Sequence, residues 1–148
     1  ADELLAHTYA SLYGLSITGL RFFTVYGPWV RTDMATYLFM DSIKNNRPIT
    51  LFNNGDMLRD FTYVDDCVAG IMLGIDKLLS GEVVNETFNL SSAGPVTLSY
   101  LAEAIGKNLN TTPEVINEPI RPGEISFYIA DLSKARTLLD YEPKVPWA

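Results

Sequence analysis

Apolar positions along the chain change their spacing several times, and each change marks an element. From Ala1 to Tyr13, the positions Leu4, Leu5, His7–Tyr9 and Leu12 recur at roughly helical spacing, and Gly14 follows where a helix cap is expected. Leu15 to Tyr26 is dense in β-branched and aromatic residues, which predicts one buried strand; Gly27-Pro28 stops it. Thr32 or Asp33 caps a second helix, Met34 to Asn45, with Met34, Leu38 and Ile43 facing inward. A short strand, Ile49 to Phe52, leads into Asn53-Asn54-Gly55-Asp56, a tight-turn signal, so Arg59 to Tyr63 is expected to return as the second arm of a hairpin. Asp65 or Asp66 opens a helix through Val68, Ile71, Met72, Ile75 and Leu78 that closes near Gly81.

The second half continues in shorter pieces. Thr87 to Leu90 reads as a strand, Ser91 to Pro95 as a loop, Leu98 to Leu109 as a helix and Glu114 to Ile116 as a strand. Asn117 to Glu124 holds two prolines and a glycine and is expected to be a loop. Ser133 caps a last helix through Leu139, and Tyr141 to Trp147 trails away. Helices alternating with short strands give an α/β fold, a small mixed sheet with several helices. The opening helix and strand form one step of a larger sheet, and both ends of the chain read as cuts.

Composition narrows the function classes. The 148 residues are 47% hydrophobic and 20% charged, enough for a core and too apolar for a disordered chain. A net charge of -7 argues against nucleic-acid binding, which needs a basic face. One cysteine, Cys67, leaves no internal disulfide, and with the single histidine His7 it makes no metal cluster. No run of about 18 apolar residues predicts a membrane span, and no signal peptide opens the chain, so the cytoplasm is the expected compartment.

The familiar catalytic patterns are absent from the sequence: there is no Gly-x-Gly-x-x-Gly, no phosphate loop of the Gly-Lys-Ser/Thr type, and no Tyr-x-x-x-Lys. His7 reads better as a structural histidine than as a base, and Cys67 better as core than as nucleophile. Asp65-Asp66 reads better as a helix cap than as a catalytic carboxylate pair. What remains is a set of arginines in loops beside aromatics: Arg31 after Tyr26-Gly27-Pro28-Trp29-Val30, Arg59 ahead of Asp60-Phe61-Thr62-Tyr63, and Arg121 in Arg121-Pro122-Gly123-Glu124. A guanidinium meets a phosphate or carboxylate with two parallel hydrogen bonds, so three of them in one domain suggest an anion site. Phe52 offers either a flat face for a base or plain core.

The stretch Leu20-Arg21-Phe22-Phe23-Thr24-Val25-Tyr26-Gly27-Pro28-Trp29 resembles the extended short-chain dehydrogenase/reductase family, and within it the NAD-dependent nucleotide-sugar epimerases, UDP-glucuronate 4-epimerases above all. The likeness continues through Arg59-Asp60-Phe61-Thr62-Tyr63-Val64-Asp65-Asp66, Thr87-Phe88-Asn89-Leu90, Arg121-Pro122-Gly123-Glu124 and Asp131-Leu132-Ser133-Lys134-Ala135, in the family's order. It implies that residues 1–28 are the last helix–strand step of an NAD-binding Rossmann domain and that 29–148 form a nucleotide-sugar-binding domain. In the family a Tyr-x-x-x-Lys pair lies just before the stretch matching Ala1-Asp2-Glu3-Leu4-Leu5, so the catalytic pair and most of the NAD site are expected to be missing here. A complete enzyme of this kind moves a hydride from C4 of the sugar to NAD and back onto the other face, and is a homodimer.

By the same resemblance Phe22 and Val25 border the nicotinamide, Thr24 and Arg31 lie toward the sugar, and Thr50 and Phe52 contact the base. Arg59 and Arg121 grip the diphosphate, and Glu124 stands near the ribose. Asn89 either touches the nucleotide or braces a loop. Thr24 stands where many relatives carry asparagine and is typical of the uronate epimerases, which points to a UDP-uronate; Val30 departs from the family's usual glycine in the loop that presents Arg31. The competing expectations are a dehydratase or decarboxylase of the same superfamily, and a free-standing nucleotide-binding module without catalysis. A pure chain of this length is expected to be inactive alone.

Overall fold

The computed structural model describes residues 1–82, 85–92 and 94–147. Helix α1 (Asp2–Tyr13) ends on Gly14, whose φ of 65° is the left-handed cap that the sequence predicts. Its apolar residues are mostly exposed, and Ala10 alone is buried. The segment expected to be one buried strand is two: β1 (Thr18–Phe22) and β2 (Thr24–Tyr26), half-buried and broken at Phe23. The cause is a change of partner. β1 runs parallel to β6 (Glu86–Leu90), whereas β2 runs parallel to β5 (Phe61–Tyr63). At the switch the Phe23 amide donates to Leu90 O and the Thr24 amide to Asp60 O, so the chain passes from one sheet to the other within one residue.

Helix α2 (Ala35–Lys44) buries Thr36, Phe39 and Ile43; Leu38, expected inside, is exposed. Neither Thr32 nor Asp33 caps it: the cap position is Met34, and the Asp33 carboxylate is engaged by Arg31. β3 (Ile49–Phe52) stands where expected, but the hairpin does not form. Asn53, Asn54 and Gly55 all take positive φ (50°, 53° and 74°) and curl into a single 3-10 turn. A Cβ on Gly55 would lie 2.9 Å from the Ser99 backbone, so glycine is what lets this curl pack against the helix Leu98–Asn108. β3 therefore pairs in parallel with β8 (Val115–Glu118), and β4 (Leu58–Arg59) lies between β7 (Val96–Thr97) and β9 (Phe127–Tyr128). β8 takes in Asn117 and Glu118, both expected in the loop.

Helix α3 (Val64–Ser80) closes on Gly81 at φ 75°. Its buried face is Asp66, Cys67, Gly70 and Gly74 rather than the larger apolar residues; Val68, Met72 and Ile75 are exposed. Asp65 and Asp66 sit in its first turn and neither is the cap, which is Tyr63. Helix α4 (Leu98–Asn108) is capped by Thr97, whose hydroxyl accepts the Tyr100 amide. Helix α5 (Ser133–Leu139) is opened not by the Ser133 side chain but by Asp131, which accepts the Ser133 amide at 2.8 Å. Two cores result. Phe39, Ile43, Ile49, Leu51, Phe61 and Leu101 fill the space between α2, α4 and strands β3 and β5. Phe88, Leu90, Leu132, Leu139 and Tyr141 fill that between β6 and α5.

The tail from Tyr141 to Trp147 is ordered into the fold rather than trailing. Tyr141 is buried and its hydroxyl donates to Ser91 O at 3.1 Å. The Asp66 carboxylate accepts the amides of Lys144 and Val145 at 2.9 and 3.0 Å, and Trp147 stacks on Phe61 with ring centroids 4.9 Å apart. No helix of the described residues is long and apolar enough to cross a membrane, and no metal-binding cluster occurs among them.

Candidate functional site

The chemistry gathers on the three-stranded sheet β7-β4-β9 and the loops at its edge. Arg59 ends β4, its backbone paired with Val96 on one side and Tyr128 on the other, so its Cα is fixed from both flanks. Its side chain is 17% exposed; Nη1 donates to Leu58 O at 2.9 Å and Ser126 O at 3.4 Å, and Nη2 lies 3.7 Å from Glu124 Oε1. Arg121 and Glu124 open and close one turn: the Glu124 amide donates to Arg121 O, with Pro122 second and Gly123 third at φ 82°. Proline then a left-handed glycine is what a type II turn requires. The turn sets Arg121 over the ring of Phe52, Cζ 3.8 Å from the centroid. A guanidinium on an aromatic face is oriented without using its N–H donors, which stay available to an anion.

Arg59, Arg121, Pro122, Gly123, Glu124, Ile125 and Tyr128 together line an open hollow of about 410 Å³. Two arginines against one acid leave it net positive in a chain of charge -7. Sequence positions 62 apart thus meet at one hollow of net positive charge.

A second cleft, about 420 Å³, lies along β2 and the loop after it and holds Thr24, Val25 and Arg31. Arg31 is exposed and bidentate with Asp33, Nε to Oδ1 at 3.1 Å and Nη2 to Oδ2 at 2.5 Å. That bond holds the Arg31 pKa above its ordinary value and the Asp33 pKa below its own. Any anionic ligand there meets a guanidinium whose outer edge is already engaged. The two hollows adjoin through one ring pair: Phe23, lining the second, stacks on Tyr128, lining the first, with centroids 4.7 Å apart.

The structure separates the remaining candidates. Thr50 is exposed on β3, two residues from Phe52. Asn89 donates through Nδ2 to Asp131 O at 3.1 Å, the loop-bracing arrangement that the sequence left open. Phe22 is 44% exposed at the end of β1, and Val25 is half-buried. The chain has neither a glycine-rich phosphate loop nor a Tyr-x-x-x-Lys pair. Sequence reasoning missed Phe23, Tyr128 and Asp60. Asp60 is fully buried; its carboxylate accepts Ser92 Oγ and the Ala130 amide, its carbonyl the Thr24 amide, and its own amide donates to Tyr128 O. A charged residue amid Phe61 and Thr62 was the available signal, since such a residue is buried only when it has partners. A third hollow, beneath α1, is walled by Asp2, Glu3 and Glu86 and is unsuited to phosphate.

The arrangement is an α/β fold with a hollow lined by two arginines beside a second cleft. The profile of the NAD dependent epimerase/dehydratase family matches residues 1–91, and the chain belongs to that family. It is 40% identical to UDP-glucuronate 4-epimerase 4 of Arabidopsis thaliana, over 97% of this chain and 36% of that protein. Among solved structures, UDP-glucuronic acid 4-epimerase from Bacillus cereus, in complex with UDP-glucuronic acid and NAD, superposes with a TM-score of 0.89 at 33% identity. That match takes in 97% of this chain and 45% of the other. UDP-glucose 4-epimerase of Thermotoga maritima with UDP-glucose gives 0.88 at 29%, over 97% and 46%. The chain thus spans less than half the length of these relatives. The expected fold class and the likeness to nucleotide-sugar epimerases are both met.

Proposed function

We propose that this chain is the nucleotide-sugar-binding portion of an NAD-dependent UDP-uronate 4-epimerase. In this reading residues 1–28 are the last helix–strand step of the NAD-binding domain and 29–148 bind the nucleotide sugar. The observation that carries it is the hollow shared by Arg59 and Arg121, one arginine held by a central strand and the other laid on Phe52. Two oriented guanidiniums suit a diphosphate, and Glu124, against the same hollow, suits ribose hydroxyls. Thr50 and Phe52 lie toward the base. Thr24 and Arg31, in the adjoining cleft, hold the sugar and its carboxylate, and Phe22 and Val25 border the cofactor. Asn89 acts through Asp131 rather than on the nucleotide. When bound, NAD supplies the hydride acceptor and donor at C4 of the sugar; this chain's residues fix the substrate against it.

Isothermal titration with UDP tests the reading. Arg59→Ala is expected to cost about 1.5–3 kcal/mol, roughly 10- to 150-fold in Kd, for a lost charge-assisted bond. An unchanged Kd removes Arg59 from the site. In the complete enzyme, conversion of UDP-glucuronate to its C4 epimer is the expected activity; loss of water or carbon dioxide from that substrate instead would favour a dehydratase or decarboxylase.

A further inference from the structure

Trp29 stands apart from every other large apolar residue. It is 101% exposed, whereas Trp147 is packed between Tyr26 and Phe61. It also takes a backbone conformation that its side chain disfavours. Gly27-Pro28-Trp29-Val30 is closed by the Val30 amide donating to Gly27 O at 3.2 Å, and Trp29 fills the third position at φ 65°. That position calls for glycine or asparagine, and a bulky residue there is an outlier. A side chain fully exposed on a strained backbone gains no burial from the fold, and such strain gathers at ligand sites. Trp29 is one of the residues at the cleft that holds Thr24, Val25 and Arg31, its side chain fully exposed at the rim. The cleft therefore joins a guanidinium to a bare aromatic plane. The ligand that matches both has an acidic group that meets the Arg31 donors left by Asp33 and a flat face of C–H bonds, as a pyranose uronate does. Apolar C–H faces pack on aromatic planes because the ring is both polarizable and poorly solvated on its face.

We infer that Trp29 packs against the sugar ring of the bound nucleotide sugar and serves as its specificity wall; this rests on the nucleotide-sugar reading above. The nucleotide end, held at Arg59 and Arg121, is independent of it.

Fluorescence in the Trp147→Phe background isolates Trp29, since the chain has two tryptophans. Without ligand the emission is that of a solvated indole. UDP-glucuronate shifts it to the blue in a saturable way, and UDP alone does not. Trp29→Gly raises the Kd for UDP-glucuronate about five- to tenfold, the size of one aromatic packing contact, and leaves that for UDP within about twofold. Trp29→Phe keeps UDP-glucuronate binding within about threefold of the parent. Because glycine relieves the turn, Trp29→Gly does not lower Tm and raises it by up to ~4 °C, a direction opposite to its effect on binding. Equal losses for UDP and UDP-glucuronate overturn the inference, as does a buried-type emission before ligand is added, or silent emission while calorimetry records binding. If neither ligand binds in an Arg59-dependent way, the nucleotide-sugar reading itself fails and the role of Trp29 falls with it.

Discussion

Asp66 is the residue whose loss this structure makes most calculable. It is 4% exposed, and its two carboxylate oxygens each accept one tail amide, Lys144 at 2.9 Å and Val145 at 3.0 Å. Asp66→Asn keeps the shape, retains one acceptor and turns an NH2 toward the other backbone N–H. Hydrogen bonds to a charged group contribute about 1.5–3 kcal/mol net, so one lost bond and a donor–donor contact give about 2–3 kcal/mol. Loss of a negative charge from the first turn of α3 adds about 0.3–1 kcal/mol. The loss is not all visible in global unfolding, because a seven-residue tail can undock while the cores stay closed. Undocking carries Trp147 off Phe61 and Tyr26, so Trp147 reports it. The assay is urea titration of Asp66→Asn in a Trp29→Phe background, followed by tryptophan emission and by far-ultraviolet ellipticity. Emission is expected to red-shift at lower urea than ellipticity falls, whereas the parent shows one coincident transition. A coincident transition with stability within about 0.5 kcal/mol of the parent would refute the clasp, since that is the size of an ordinary surface substitution.

Three shorter expectations follow from the same packing. Cys67 is buried, and desolvation, with the Asp66 charge beside it, pushes its thiol up to about 11, so at pH 8 about one molecule in a thousand carries the thiolate. Ellman's reagent is therefore expected to label it only after denaturant is added; rapid labelling of the folded chain contradicts this. Gly27→Ala combines a φ of 141° with a Cβ placed 2.8 Å from Val64 Cγ1, and is expected to cost about 2–4 kcal/mol in denaturant titration; a neutral result refutes the strain. Asn89→Ala removes the bond to Asp131 O and is expected to lower stability by about 0.5–1.5 kcal/mol with UDP affinity unchanged; weakened UDP binding at unchanged stability would return Asn89 to the nucleotide site.

How far the sequence reveals this molecule depends on whether a signal is local or needs a distant partner. The strand Ile49–Phe52 and helix α4 are written within a few residues, by β-branched spacing in one and apolar periodicity in the other. The pairing of that strand is not. Asn53-Asn54-Gly55 is as good a hairpin signal as it is a run of left-handed residues, and the choice falls to β8, more than sixty residues on. Asp66 fails in the same way: an acid before an apolar helix looks like a cap until amides 78 and 79 residues later reach it. Composition cannot tell a side chain that accepts from its own helix from one that accepts from the tail. The site follows the same division. The resemblance names Arg59 and Arg121, yet nothing local says that the turn from Arg121 to Glu124 brings the second beside the first. Phe23 and Tyr128 went unnoticed because an aromatic pair has no sequence signature when its members are 105 residues apart. Two turns at the site carry a local signal, Arg121-Pro122-Gly123-Glu124 in full and Gly27-Pro28-Trp29-Val30 in part. In both, proline fixes the second position; glycine then announces the left-handed third position in the first, whereas in the second tryptophan occupies it and hides it from the sequence.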